Sequence, residues 1–362
     1  MSYKKHICLI VDCLSGGGAE KVAASLSFVL SKNEYKVSII SLRDDITYPH
    51  KGELYNLGEN EPSIQWIKQI KKIALFRKYY KRIDADFYID FRMRNRFIME
   101  LLLHLFVFKE KKMIMSVQHF NVAYHIPNGV LFKKIYKKVK AIIAVSRDIE
   151  GILKDQYEFE NVVYIPNFVN EDLLVTNTFN DIVPEEFILA IGRLLNSVKQ
   201  FDKLILSYKN SMAFKKDVPL VILGDGPDKE KLESIIAKYN LQKNVILKGF
   251  VNNPYDYIKA CKFLVLSSKF EGMPLVMLET LALGTPVVSF DCKSGPSELI
   301  KNKYNGLLIE NQNFEALMQG IDLLQTDQKL YDTLKANAKH SVKPFTGEAV
   351  IKLYEALFEQ SH

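Results

Sequence analysis

Short β-rich runs alternate with helical patterns in two successive series along 362 residues, which predicts an α/β chain of two doubly wound, Rossmann-like domains built on parallel sheets. Length and composition agree with this. The chain is long enough for two domains of ordinary size, and 48% hydrophobic with 25% charged residues is the balance of a globular protein with sizeable cores.

In the first series "HICLIVD", "KVSIISL", "DFYIDF", "KMIMSVQH", "AIIAVS" and "NVVYIP" read as strands, separated by helical patterns such as "GAEKVAASLSFVLSK" and "SIQWIKQIKKIALFRKYYKR". In the second series the strands are "FILAIGR", "PLVILGDG", "VILKGF", "FLVLSS", "PVVSF" and "GLLIE". The join falls in the polar, weakly periodic stretch 164–187, giving domains 1–167 and 168–342 with a terminal segment 343–362.

The four cysteines, Cys8, Cys13, Cys261 and Cys292, lack metal-ligand spacing and lie in or beside strands, as expected of reduced buried thiols in cytosol. The N-terminal apolar run is too short for a signal peptide, and the longest apolar stretch, "FIMELLLHLFVF" (97–108), is too short to span a bilayer. The net charge of +7 is unevenly spread: residues 1–160 hold 27 Lys and Arg against 18 Asp and Glu, the remainder 22 against 24. The basic excess concentrates in "KQIKKIALFRKYYKR", "FRMRNRF", "KEKKM" and "LFKKIYKKVK", where cations alternate with aromatic and aliphatic residues. Such a surface suits anionic lipid or an anionic acceptor; it equally describes a solvated lysine-rich helix face, and no nucleic-acid recognition motif accompanies it.

The stretch "SSKFEGMPLVMLETLALGTPVVSF" (267–290) keeps two glutamates, Glu271 and Glu279, in otherwise apolar surroundings. Pro274 stands near the start of a helix that is apolar on almost every face, so Glu279 is expected inside the core. An unpaired buried carboxylate costs several kcal/mol, on the order of what a domain can ill spare, so Glu279 requires either a protein partner or a ligand. In doubly wound sheets ligands bind beyond the carboxyl ends of the strands. That rule gathers "SGGGAEK", "GRLLNSVK" and "KFEGMP". The run Gly16–Gly18 lets backbone N–H groups approach a phosphate at a helix N-terminus, and Arg193 and Lys199 add cations beside a diphosphate.

The combination "SGGGAEK", "IGRLLNSVKQFDKLI", "LGDGPDKEKLE", "SSKFEGMPLVMLETLALGTPVVS" and "GPSELIKNKYNGLLI" resembles the family-four retaining glycosyltransferases of the GT-B fold, in particular those that build bacterial capsule, lipopolysaccharide and other surface polysaccharide. The match is dense over 187–310 and rests mainly on the glycine loop in the first half. The resemblance implies two Rossmann-like domains facing each other across a cleft, the first binding the acceptor, the second the nucleotide-sugar, with the terminal helix returning to the first. It implies a hexosyltransferase using a nucleoside-diphosphate sugar, UDP favoured, with a glycan or lipid-linked acceptor, no cofactor and no metal. Its place would be cytoplasmic, peripheral on the anionic inner membrane surface.

By the same resemblance Glu271 contacts the donor sugar, Glu279 accepts the ribose hydroxyls, and the backbone around Gly272, Met273, Pro274 and Leu275 surrounds sugar and phosphate. Arg193 and Lys199 take the diphosphate, Gly17 and Gly18 close over it, and His119, after "KMIMSVQ", lies near the transferred sugar as a catalytic candidate beside Glu271. The Arg-to-Lys spacing in "GRLLNSVK" is one residue longer than the common family form. The "DAD" at Asp84–Asp86 precedes a strand and reads as a turn, not a metal site. Two other classes are weighed. A dinucleotide oxidoreductase would carry G-x-G-x-x-G after its first strand, which is missing; a non-catalytic scaffold of the same fold would tolerate loss of the motif glutamates and cations, which are present.

Overall fold

The computed structural model describes residues 3–59, 65–127, 129–175 and 184–360. The chain divides into two compact units, Met1–Asn170 with Gly347–His362, and Glu171–Thr346. The sequence reading sets these divisions at 167/168 and 342/343.

The first unit is built on strands β1 (His6–Val11), β2 (Lys36–Ser41), β3 (Glu53–Asn56), β4 (Phe87–Asp90), β5 (Met113–Val117), β6 (Ala141–Ala144) and β7 (Val162–Tyr164), with helices α1 (Gly18–Lys32), α2 (Gln65–Ile83), α3 (Phe97–Phe106), α4 (Val130–Tyr136) and α5 (Arg147–Gly151). Among the described residues the sheet is seven-stranded, in the order β3-β2-β1-β4-β5-β6-β7, and every pairing is parallel. β1, β2 and β4 to β6 are buried almost end to end, as strands covered on both faces must be. β3 is absent from the sequence reading. It is a half-exposed edge strand in "KGELYNLG", and an edge strand needs no apolar run to be held.

The second unit has β8 (Ile188–Ile191), β9 (Leu220–Leu223), β10 (Val245–Gly249), β11 (Phe263–Leu266), β12 (Val287–Phe290) and β13 (Gly306–Ile309). Its helices are α6 (Phe201–Lys209), α7 (Met212–Lys215), α8 (Lys229–Lys238), α9 (Tyr255–Ala260), α10 (Leu275–Ala282), α11 (Pro296–Leu299), α12 (Phe314–Thr326) and α13 (Gln328–Ser341). The sheet runs β10-β9-β8-β11-β12-β13, again all parallel. The chain reverses its direction of travel across the sheet between β8 and β11, so the carboxyl ends of those two strands form the switch point at which doubly wound sheets bind ligands. A core including Leu204, Leu220, Phe263, Phe290, Leu317 and Ile321 fixes α6, α8 and α12 on one face.

The last helix, α14 (Gly347–Glu359), belongs to the first unit. Phe358 meets Tyr35 edge-on at 5.6 Å and stacks on Phe87 at 5.3 Å, and Lys5 Nζ donates to the Phe358 carbonyl at 2.7 Å. All four cysteines are buried free thiols. No helix among the described residues is long and apolar enough to cross a membrane.

Candidate active site

In the second unit the turns leaving β8, β9 and β11 are tied to one another. Gly224, at φ +147°, lies so close to β8 that a Cβ would strike the Gly192 carbonyl. Gly192 N–H donates to Leu223 O at 3.0 Å, Leu194 N–H to Asp225 O at 2.9 Å, and Asn196 N–H to Asp228 Oδ2 at 2.6 Å. "LGDGPD" is thus the brace on which "GRLLNSVK" rests. That brace presents Arg193 to solvent and turns Lys199 inward, its aliphatic stem lying over Gly192. The Lys199 carbonyl accepts Ser267 Oγ at 2.7 Å, and Lys269 N–H donates to Val198 O at 2.8 Å, which joins this loop to the one leaving β11.

On that second loop Lys199 Nζ meets Glu271 Oε1 at 2.5 Å, with the two side chains 19% and 13% exposed. The pair is half-buried, so it is less screened than a surface ion pair. Burial, and next the Glu271 charge, push the neighbouring Cys292 thiol up to about 12. The turn after Glu271 is seated on the loop following β12: Glu271 N–H donates to Lys293 O at 3.1 Å and Ser294 Oγ donates to Gly272 O at 2.6 Å. Gly295 sits below it at φ +98°, where a Cβ would be 2.8 Å from Pro274 Cδ and 3.0 Å from Met273 Cα. Only glycine fits there on both counts. Ser294 and Gly295 are positioning residues; Gly295 opens the string "GPSELI", which carries no assigned role in the sequence, and Ser294 precedes it.

Pro274 then caps α10, whose first N–H groups face the same strand ends as Glu271, with the positive end of the helix dipole. Five residues on, Glu279 is 6% exposed and accepts the Tyr255 hydroxyl of α9 at 3.1 Å. Burial, and then the Glu279 charge, raise the Tyr255 phenol far above its ordinary value, so it stays a donor. A tyrosine partner was not foreseen. "YDYIKA" offers nothing that singles out Tyr255 without knowing that α9 packs against α10.

In the first unit Gly17 is the N-cap of α1, Gly18 its first residue, and Gly16 stands before them at φ +70°. The Glu20 side chain folds back over this end, so close that a Cβ on Gly17 would collide with its carboxylate. Burial raises the Glu20 carboxyl; its own backbone N–H pulls the other way. A glutamate at the third helical position is the acidic half of a capping box, here with glycine at the N-cap where the full box has Ser or Thr. His119 follows β5, two strands from β1 in the same sheet; its Nδ1 accepts the Asn121 N–H at 2.9 Å and its ring lies 5.0 Å from Tyr124.

The "FRMRNRF" cations, expected on the surface, are in part a correction. Arg92 and Arg94 are buried at 3% and 0% exposure. Arg92 pairs with Asp90 at 2.7 Å and Glu100 at 3.1 Å, and Arg94 donates to the carbonyls of Asp90, Ser116 and His125 at 2.9, 2.9 and 2.7 Å. The reason is geometric: Asp90 ends β4 inside the sheet, and its carboxylate needs those guanidinium donors. Burial pushes the Asp90 carboxyl up, but Arg92 and Arg94 outweigh it and hold it below the ordinary range. Asp84 and Asp86 precede β4, Asp84 paired with Lys112 at 3.2 Å and Asp86 accepting the His6 N–H at 2.8 Å.

The second unit therefore gathers Lys199, Glu271, the turn Gly272–Pro274 and Leu275 at one sheet edge, with Arg193 starting the adjoining loop and Glu279 deeper in α10. Gly17, Gly18 and His119 lie at the carboxyl edge of the other sheet.

Known proteins match both units. Residues 16–173 match the model of Glycosyltransferase Family 4, and residues 179–341 that of Glycosyl transferases group 1. A Campylobacter jejuni protein, N-acetylgalactosamine-N,N'-diacetylbacillosaminyl-diphospho-undecaprenol 4-alpha-N-acetylgalactosaminyltransferase, is 31% identical over 93% of this chain and 94% of its own length. The amylovoran biosynthesis glycosyltransferase AmsD of Erwinia amylovora is 26% identical over 96% and 97%. Among solved structures, S. aureus TarM bound to Fondaparinux, alpha-GlcNAc-glycerol and UDP superposes with a TM-score of 0.78 at 18% identity, covering 98% of this chain and 100% of that one. The pneumococcal O-GlcNAc transferase GtfA with UDP and GlcNAc gives 0.77 at 12% identity, covering 99% of each. With a relative of this identity matched over nearly its whole length, and both halves fitting their models in order, the chain belongs to the family-four glycosyltransferases of the GT-B fold.

Proposed function

We propose that this glycosyltransferase acts in surface-polysaccharide biosynthesis, moving a hexose or N-acetylhexosamine from a UDP-sugar to a glycan acceptor on a lipid carrier, with retention and without a metal. The observation that carries the reading is the half-buried Lys199–Glu271 pair beside the N-terminus of α10, with Glu279 five residues inside the same helix. In this structure the Lys199 charge is held by Glu271. A donor diphosphate offers it a stronger partner, and the carboxylate so released turns to the sugar hydroxyls. Arg193 and the first amides of α10 complete a positive field at the leaving group, which is where charge develops as the glycosidic bond breaks. Glu279, whose Oε1 accepts the Tyr255 hydroxyl, also accepts the ribose hydroxyls. The acceptor enters on the diphosphate face, and a phosphate oxygen takes its proton.

Support for UDP and for a lipid carrier comes from the relatives: the two solved structures named above hold UDP, and the C. jejuni relative is named for an undecaprenyl-diphosphate substrate. The basic first half suits the anionic inner face of the membrane, where such a carrier lies. A thermal-shift panel of UDP, GDP, ADP and their sugars tests the donor. UDP and UDP-sugars should raise the melting point, since a ligand of the native state stabilises it; a shift with GDP or ADP alone would move the reading to another base, and no shift with any of them would end it.

A further inference from the structure

Helix α3, "FIMELLLHLF", is built inside out. Its two polar residues, Glu100 and His104, are the ones it buries, at 2% and 4% exposure, together with Leu103. Glu100 reaches Arg92, and the His104 ring packs on Phe108 and Tyr136 at 5.1 and 5.6 Å. The opposite face carries Ile98, Leu102, Leu105 and Phe106, with Phe97 and Leu101 at its margins. Ile98 is 73% exposed, Leu105 64% and Phe106 57%. A helix folded against water does the reverse. α4 runs beside it in the same sense, Phe132 against Phe97 at 4.9 Å, and adds exposed Val130 and Leu131.

This apolar face ends in a basic rim. Lys109 and Lys111 follow α3, Lys137 and Lys138 follow α4, and the two segments are joined by the Lys140 N–H on the Glu110 carbonyl at 3.2 Å. Lys111, Lys137 and Lys138 outnumber the single carboxylate, Glu160, in lining a hollow of about 520 Å³. Lys134 is exposed on α4 itself. Ten residues make roughly 15 Å of helix, half the thickness of a hydrocarbon core, so α3 can lie in a bilayer interface but not cross it. Charge decides between occupants: a second copy of this chain would bring a second set of lysines against the rim, whereas anionic headgroups neutralise it.

We propose, resting on the lipid-linked acceptor reading above, that the outer faces of α3 and α4 seat in the interface of an anionic bilayer, the apolar ladder among the acyl chains and the lysine rim on the headgroups. The insertion is hydrophobic as well as electrostatic, so part of it survives salt.

Flotation with phosphatidylcholine vesicles containing phosphatidylglycerol, at low and high salt, tests this without relying on catalysis. The full-length chain should float with anionic vesicles and keep a measurable fraction bound at high salt. Ile98→Glu with Leu105→Glu should lower partitioning roughly 30-fold; Lys134→Glu with Lys137→Glu and Lys138→Glu should lower it only at low salt. Ile98→Cys carrying an environment-sensitive fluorophore gives a second readout, since the native thiols are buried, and its emission should shift to the blue on anionic vesicles. Unchanged flotation of the Ile98/Leu105 variant, or no fluorophore shift, overturns the proposal. So does a concentration-dependent dimer in sedimentation velocity that the same variant abolishes. A preserved UDP thermal shift in that variant keeps the donor reading separate from this one.

Discussion

Replacing Glu279 by Gln separates a ligand-binding carboxylate from a core one, because the two roles predict different observables. The structure gives Oε1 of Glu279 to the Tyr255 hydroxyl at 3.1 Å, and the glutamine carbonyl can accept that same bond. The fold therefore loses no partner for Tyr255, and a buried charge is removed, so the melting point of the free protein should move little. The ribose loses more. The second carboxylate oxygen becomes an NH2 group, which cannot accept a hydroxyl proton, and charge assistance is gone from whatever bond remains. A hydrogen bond to a charged acceptor is worth about 1–3 kcal/mol, so UDP affinity should fall roughly 5- to 150-fold. Isothermal titration of UDP and 2′-deoxy-UDP into both proteins reads this directly. The deoxy analogue should bind more weakly than UDP to the natural protein and lose little further on substitution. Equal UDP affinity in the two proteins, or fully additive losses, would assign Glu279 to the core alone.

Three further outcomes follow from the geometry. Gly295→Ala forces a side chain into φ +98° and against Pro274, so it should cost about 1–3 kcal/mol in denaturant unfolding and weaken UDP binding with it; an unperturbed variant would mean that the 272–274 turn does not rest on Gly295. Burial, and next Arg92, lower His104 to about 4, and its buried ring nitrogens have no hydrogen-bond partner. The unfolded chain then binds the extra proton, so stability is full above pH 6.5 and falls as pH drops toward 4; His104→Phe should recover about 3 kcal/mol of that loss in urea titrations across the window, and parallel profiles would refute it. Turnover should survive EDTA, and recovery only with manganese or magnesium would return Asp84 and Asp86 to consideration.

The sheets were legible wherever the strands are fully covered, since a run such as "FLVLSS" or "PLVILGDG" has no other stable place. β3 escaped because an edge strand is held by backbone pairing alone. The Glu271 and Lys199 neighbourhood was legible by topology, both lying just beyond strands that adjoin in the sheet. Tyr255 was not, because its meeting with Glu279 depends on how α9 and α10 pack, and neither helix announces it. Arg92 and Arg94 misled for the opposite reason: basic residues in a helix-flanking string look solvated until Asp90 is known to end a central strand. In α3 the sequence showed an apolar segment too short to span, and only the burial of Glu100 and His104 revealed which face was left outside.

The central claim is transfer of a sugar from UDP with retention, and the anomeric configuration of the product tests it most directly. An α-linked UDP-N-acetylhexosamine, turned over by the purified protein and followed by proton NMR, should give an α-glycoside, recognised by the small coupling of its anomeric proton. A β-glycoside from the same donor would contradict the front-face account and require Glu271 or His119 to serve as a base for inverting attack.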